Sequence, residues 1–319
     1  MIAPKFTLRA VLTLTPEEAS FARRGFRGAA GQMRARLESA GGTFVQGYNL
    51  ALEHGTAAGV EGSLKAIPNE LRGFAFEGAA MGLALLDWLT PWRRNRVNEF
   101  LGGDGGAHTY MVHVGVGWVW AKLPVNFRRA KLRLDPLLGW LAFDGWGFHE
   151  GFFHWPKYME GQAQPRCLRG YERRVFDQGL GRSFWFVNGG NVELIARAIS
   201  GFASERRADL WSGIGLAATY AGMAAKGSLV SLREAAGVYS AHLAQGAAFA
   251  AKARQRAGNV TDYTSLATQV LCGMEATTAA RLTDATLECL PGDGDEPAYE
   301  VWRRRIQNHW QRVGQLQNA

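Results

Sequence analysis

The segment Phe143-Asp144-Gly145-Trp146-Gly147-Phe148-His149-Glu150-Gly151-Phe152-Phe153-His154-Trp155 holds two carboxyls and two imidazoles among six aromatic rings. Two chemistries suit that mixture. A carboxyl pressed against rings and small residues loses solvation, its pKa rises, and it becomes a proton donor at neutral pH. Asp144 and Glu150 are candidates for that role. The other chemistry is a metal site on His149 and His154. On a helix Glu150 and His154, four apart, share a face, whereas His149 and His154, five apart, point about 140° from one another. The zinc-protease pattern HExxH is not met, because its second histidine would fall at Phe153. The paired Glu-x-x-His of di-iron bundles is also missing. A plain structural reading stands beside both: Glu150 and His154 hydrogen-bond backbone groups at a helix end.

Two further acids sit in similar surroundings. Phe76-Glu77-Gly78 and Phe176-Asp177-Gln178-Gly179 echo Phe143-Asp144-Gly145. Glu77, Asp144, Glu150 and Asp177 therefore make up the set of candidate catalytic acids or bases. For the three acids that follow Phe, the competing role is pairing with an arginine (Arg72, Arg182 and Arg169 are at hand) or bonding amides at a helix start. Aromatic faces stabilise cationic centres, so Trp118, Trp146, Phe152 and Phe176 are candidate substrate contacts. Gly115 and Gly213, which leave room beside a helix, join them. His108 and His113 either ligate haem or fill the core. No Gly-x-Ser-x-Gly, dinucleotide fingerprint, P-loop or acid-rich DDxxD run is present.

The elements that must hold these groups read as helices. Thr15-Pro16-Glu17-Glu18 is a helix start, and the spacing of Phe21, Phe26, Met33 and Leu37 carries that helix to a stop at Gly41-Gly42. Thr90-Pro91 opens another segment that Gly102-Gly103 closes, and Asn191 caps a helix after it. Trp302, Ile306, His309, Trp310 and Val313 mark an amphipathic helix docked over 297–314, after a loop at 291–297. Residues 1–14 alternate apolar and polar, which predicts a short extended segment. Markers at 77, 115, 144, 177, 213 and 246 recur about every 34 residues, the length of a helical hairpin. An internal duplication of 44–160 and 161–260 is one source of that period; chance likeness of Gly-rich helices is the other. Glycine inside a helix costs about 1 kcal/mol against alanine. Gly115, Gly117, Gly213 and Gly215 are therefore expected at close contacts. The fold class that follows is all-α, a single domain over 1–319.

Composition narrows the function classes. The chain has 319 residues, 47% hydrophobic and 20% charged, which excludes disorder as the main state. Three cysteines make no CxxC pair and no disulfide scaffold, and they point to a reducing, cytoplasmic setting. The net charge of +8 suits a solvated basic surface or an anionic partner. The arginine groups at 23–27, 93–96 and 303–305 fit no nucleic-acid motif, so no nucleic acid is expected. The runs free of Asp, Glu, Lys and Arg, at 105–121, 210–225 and 235–251, reach at most 17 residues. A spanning helix needs about 20. They are expected to be buried helices, with peripheral membrane contact left open.

The longest motifs, LDPLLGWLAFDGWGFHEGFFHW (134–155), FDQGLGRSFWFVNGG (176–190), DLWSGIGLAATYAG (209–222) and LAQGAAFAAKARQRAGN (243–259), resemble an uncharacterised bacterial family. It is usually labelled "enediyne biosynthesis protein". GFRG (25–28) and RGFAFEGAAM (72–81) fit too, so the resemblance covers nearly the whole chain. It implies a place beside polyene or enediyne polyketide genes, and often beside a membrane flavoprotein. No catalytic residue carries over. Where that pattern has a histidine in a proline-containing segment, this chain has Asn259-Val260-Thr261-Asp262-Tyr263-Thr264. Three functions follow as expectations. One is an enzyme of natural-product biosynthesis, a cyclase or isomerase that encloses a long apolar unsaturated substrate. The second is a haem- or iron-dependent redox protein served by a membrane electron-transfer partner. The third is a non-catalytic protein that sequesters a reactive polyene.

Overall fold

The computed structural model describes residues 11–317, with side chains to 311. Nine helices make the frame: α1 Gly31–His54, α2 Asn69–Leu89, α3 Thr109–Lys122, α4 Leu141–Phe153, α5 Tyr171–Val187, α6 Ser204–Ala221, α7 Ser240–Arg256, α8 Ala276–Ala285 and α9 Ala298–Gln317. From α1 to α8 each packs on the next, forming one row. Shorter helices at Ala57–Lys65, Arg96–Gly102, Val192–Ser200, Lys226–Ala236 and Asp262–Leu271 join them. Three of these start on a side-chain cap, Thr56, Asn191 or Thr261. The described residues contain no strand, so the fold is all-α, in one domain.

A Gly-x-Gly repeat holds the row together. Residues two apart on a helix point about 200° from each other, so two such glycines face opposite flanks. In α3, Gly115 lies on the Glu77 carbonyl of α2 and Gly117 on the Ala142 carbonyl of α4. In α4, Gly145 and Gly147 meet Val114 of α3 and Phe176 of α5. Gly179 and Gly181 of α5 meet Asp144 and Leu210, and Gly213 and Gly215 of α6 meet Gln178 and Leu243. At each rung a Cβ would collide with backbone, so the glycine is offset by direct helix–helix contact. Replacing Gly213 by alanine is expected to lower stability by about 1–3 kcal/mol through overpacking. Gly62, exposed in a helix with open space around it, should gain up to about 1 kcal/mol from the same change. Chemical denaturation of the two variants checks both signs.

The residue before the first of these closely packed glycines faces one side of the row: Glu77 before Gly78, Asp144, Gln178, Ser212, and Gln245 before Gly246 are polar and buried, whereas in α3 the place is taken by Val114. The row curls so that α6 and α7 return to α1 and α2. Arg36 donates to the Ala221 carbonyl, Arg254 to the carbonyls of Glu70 and Tyr220, and Tyr220 packs edge-on against Phe74. Helix α9 docks against α7, α8 and α5. Trp302 is buried and its indole donates to the Thr283 carbonyl. Arg303, also buried, pairs with Asp209 at 2.7 Å and Glu300 at 3.3 Å and donates to Gln245.

Two local expectations need correction. The first helix does not run from Thr15 to Gly41. A 3-10 turn, Pro16–Ala19, is followed by Phe21–Arg24, which stops at Gly25 with φ of +67°. Gly41 and Gly42 lie inside α1, and Gly41 is small because Ala19 packs against it. Of the expected extended segment, residues 1–10 lie outside the described residues, and Val11 and Leu12 are helical. The charge-free runs fall largely on α3, α6 and α7, and most of their residues are buried. No described helix is long and apolar enough to cross a membrane.

Candidate functional site

A narrow cavity of about 40 Å³ opens between α1, α2, α3, α4 and α5. Its wall is mostly aromatic: Phe44, Phe74, Trp118, Phe148, Phe152 and Phe186 line it. The Gly-x-Gly rungs place these rings, since α2 to α5 are held too close to leave other room. Residues Leu14, Glu18 and Ala19 complete the wall on one side. At the floor stand two charged groups, Glu77 and Arg182.

Arg182 is 5% exposed and serves two carboxyls. Its Nη1 bonds Asp144 closely, and its Nη2 lies 4.0 Å from Glu77. Burial works against its charge, but Asp144 and Glu77 outweigh that and hold its pKa above the usual range. Its guanidinium also sits 4.8 Å over the Phe148 ring. Asp144, fully buried, takes a second bond from Gln178 Nε2 at 2.8 Å. Glu77 has less: one bond, from the Trp118 indole at 3.1 Å. Burial therefore pushes the Glu77 pKa up to about 7; Arg182 and Trp118 pull it down and Asp144 adds to the rise. At neutral pH Glu77 is therefore poised between its protonated and ionised forms.

The other sequence candidates lie elsewhere. Asp177 points away from the cavity and is gripped by Arg206 at 2.6 and 2.8 Å and by Gln164 at 2.8 Å. Burial raises its pKa against the pull of Arg206. Gln178, not Asp177, holds the place equivalent to Asp144. Trp118 and Phe152 line the cavity. Trp146 packs against Phe127 and Phe176 against Tyr158, both away from it. Gly115 and Gly213 are filled by neighbouring backbone and offer no open face. Of the cluster at 143–155, three phenylalanines reach the cavity, whereas Asp144, His149, Glu150 and His154 are not on its wall. The acids and imidazoles of that segment therefore stand behind the wall. A regular helix spends that face on rings, and the polar groups fall behind them.

His108 stacks on Phe76 at 4.1 Å and burial pushes its pKa down to about 4. His113 Nδ1 is 2.7 Å from the Thr109 carbonyl, one turn back, and burial lowers its pKa. Arg72 and Arg173 each donate to a carbonyl that precedes their own helix. The acid partner of Arg182 was within reach of the sequence; Trp118 as donor to Glu77, and Phe44 and Phe74 as wall, were not. The local pattern that finds most of the buried polar row is a polar residue directly before a closely packed helical glycine.

A second, open and roomier groove of about 430 Å³ lies on the outer side, between the ends of α2 and α3 and the segment 124–134. Its single carboxyl, Asp87, is tied to Arg96 at 3.0 Å. It lacks the proton-bearing group that the enclosed cavity has.

No curated protein matches the chain. No solved structure matches it. One family does, "Protein of unknown function (DUF1702)", over residues 5–310. With nearly all of its length matched, the chain that builds this aromatic cavity belongs to the DUF1702 family.

Proposed function

We propose that the protein is an enzyme of natural-product biosynthesis, of the enediyne or polyene type, that encloses an apolar unsaturated substrate and isomerises or cyclises it by proton transfer. One observation carries this reading: a carboxyl with a pKa of about 7 stands at the floor of an aromatic cavity. Glu77 gives its proton to an alkene carbon, forming a C–H bond and leaving a cation on the neighbouring carbon. The faces of Trp118, Phe44 and Phe148 steady that cation. The new carboxylate is held by the Trp118 indole and the Arg182 guanidinium. It then takes a proton from an adjacent carbon, which shifts the double bond, or an internal alkene attacks first and closes a ring.

Parinaric acid methyl ester, a conjugated tetraene, tests the reading in D₂O at pH 6. The protein should bind it with quenching of tryptophan emission and place deuterium on its chain. Glu77→Gln should keep the binding and lose the exchange by about 10²-fold or more. Binding without exchange in the unaltered protein would leave a sequestering role instead. Failure to bind any of a set of polyenes of different length would remove the enclosure itself.

A further inference from the structure

The imidazoles that the cavity does not use form a second arrangement. His149 and Glu150 lie in the last turn of α4, and His154 is the residue at which that helix stops, with φ of −128° and ψ of 33°. The i, i+4 spacing brings His154 over Glu150, and Glu150 in turn lies beside His149. His154 Nδ1 stands 3.0 Å from Oε2 of Glu150, and His149 Nδ1 stands 3.6 Å from Oε1 of the same carboxylate. One ligand atom from each of the three side chains lies within 4.8 Å of the others.

His149 gives a second, independent indication. It is 2% exposed, and neither ring nitrogen has a hydrogen-bond partner. A buried polar atom left unpaired is costly. Its nearest polar neighbour is the Glu150 carboxylate, at a distance too long for a hydrogen bond.

We propose that His149, Glu150 and His154 bind one divalent first-row transition ion, through a nitrogen of each histidine and a carboxylate oxygen. Bonds of about 2.0–2.2 Å to nitrogen and oxygen put adjacent ligand atoms about 3.0–3.6 Å apart. The two separations run to different oxygens of Glu150, so one oxygen serves both histidines once the carboxylate turns. The third closes by rotation of His154, whose side chain is about half exposed. Two imidazoles and one carboxylate favour an ion between iron(II) and zinc(II), and disfavour calcium and magnesium, which seek all-oxygen shells. Three protein ligands leave positions for water or a small molecule on the solvent side. Of the nearby cations, Arg24 is paired with Glu18, and Lys122 lies over Phe153. One aromatic layer, Phe153 and Trp118, separates the ion from the cavity. The inference stands whether or not the cavity takes a polyene.

Chelator-stripped full-length protein titrated with cobalt(II) tests it. A visible d–d band should rise and saturate at one equivalent, and zinc(II) should displace it. His154→Ala, at an exposed side chain that the fold does not need, should weaken binding at least tenfold. His149→Phe keeps the buried volume apolar and should abolish the band. Thermal unfolding should shift upward with zinc(II) in the unaltered protein and not in His154→Ala. Absence of a saturable one-to-one band overturns the proposal. So does a band of equal affinity in both variants, which would place the ion elsewhere.

Discussion

Replacing Arg182 by methionine is expected to destabilise the protein by about 3–5 kcal/mol, read as a large fall in the urea midpoint. Among the described residues the guanidinium is the only cation paired with Asp144, which is fully buried, and it also neutralises part of the charge on Glu77. Without it Asp144 keeps one bond, from Gln178. A charge left alone in such surroundings costs far more than the pair contributed in the first place. The companion change Asp144→Asn should recover most of the loss, since it removes the stranded charge. The two sites are in contact, so their effects must not add. A loss of less than about 1 kcal/mol would mean that water reaches Asp144.

The second large effect is on pH dependence. Glu77 has a folded pKa of about 7 against 4.5 for the free group. Below the lower value both states are protonated, and Glu77 makes no difference. Between the two, the unfolded chain gives up its proton while the folded chain keeps it, so stability falls as pH rises. Above pH 7 the loss is complete, at about 3 kcal/mol. Glu77→Gln has no proton to lose. The stability difference between variant and unaltered protein should therefore shift by about 3 kcal/mol in favour of the variant between pH 4 and pH 8. Urea titrations across that range measure it. Parallel profiles would show that Glu77 titrates as an ordinary solvated carboxyl.

Much of the fold could be read from local patterns. The helix start at Asn191, the buried Gly-rich runs, and the amphipathic stripe of α9 are properties of a few neighbouring residues, whereas Thr90-Pro91 opens only a short turn before the helix at Arg96. The glycine pairs could be read too, because a costly residue in a helix has to be offset by contact. Other features resisted for a physical reason. Gly41-Gly42 carries the same local signal as a helix stop, and only the approach of Ala19 distinguishes it. Glu77 could be named from its apolar neighbours, but its partner Arg182 lies more than a hundred residues on, one arginine among several. Asp177 misled because it follows Phe as Glu77 and Asp144 do. Its neighbour Gln178 is the residue in register with the glycines, one position and about 100° round the helix. Arg303 stands in a run of three arginines that reads as surface, yet α9 carries it into the core.

The glycine rungs also decide how the cavity can respond to an occupant. Where two helices meet through side chains, they can slide or part as those side chains change rotamer. Where they meet backbone to backbone, there is nothing between them to rearrange. Helices α3 to α6 are joined in that second way, on both flanks. The cavity is therefore a mould whose width is set by main-chain contact, not a sleeve that stretches around its guest. Its adjustable parts are the rotatable rings on the wall and the short stretch at Leu14, Glu18 and Ala19, which Asn49 holds by two hydrogen bonds to Leu14. Selection among apolar molecules then rests on shape.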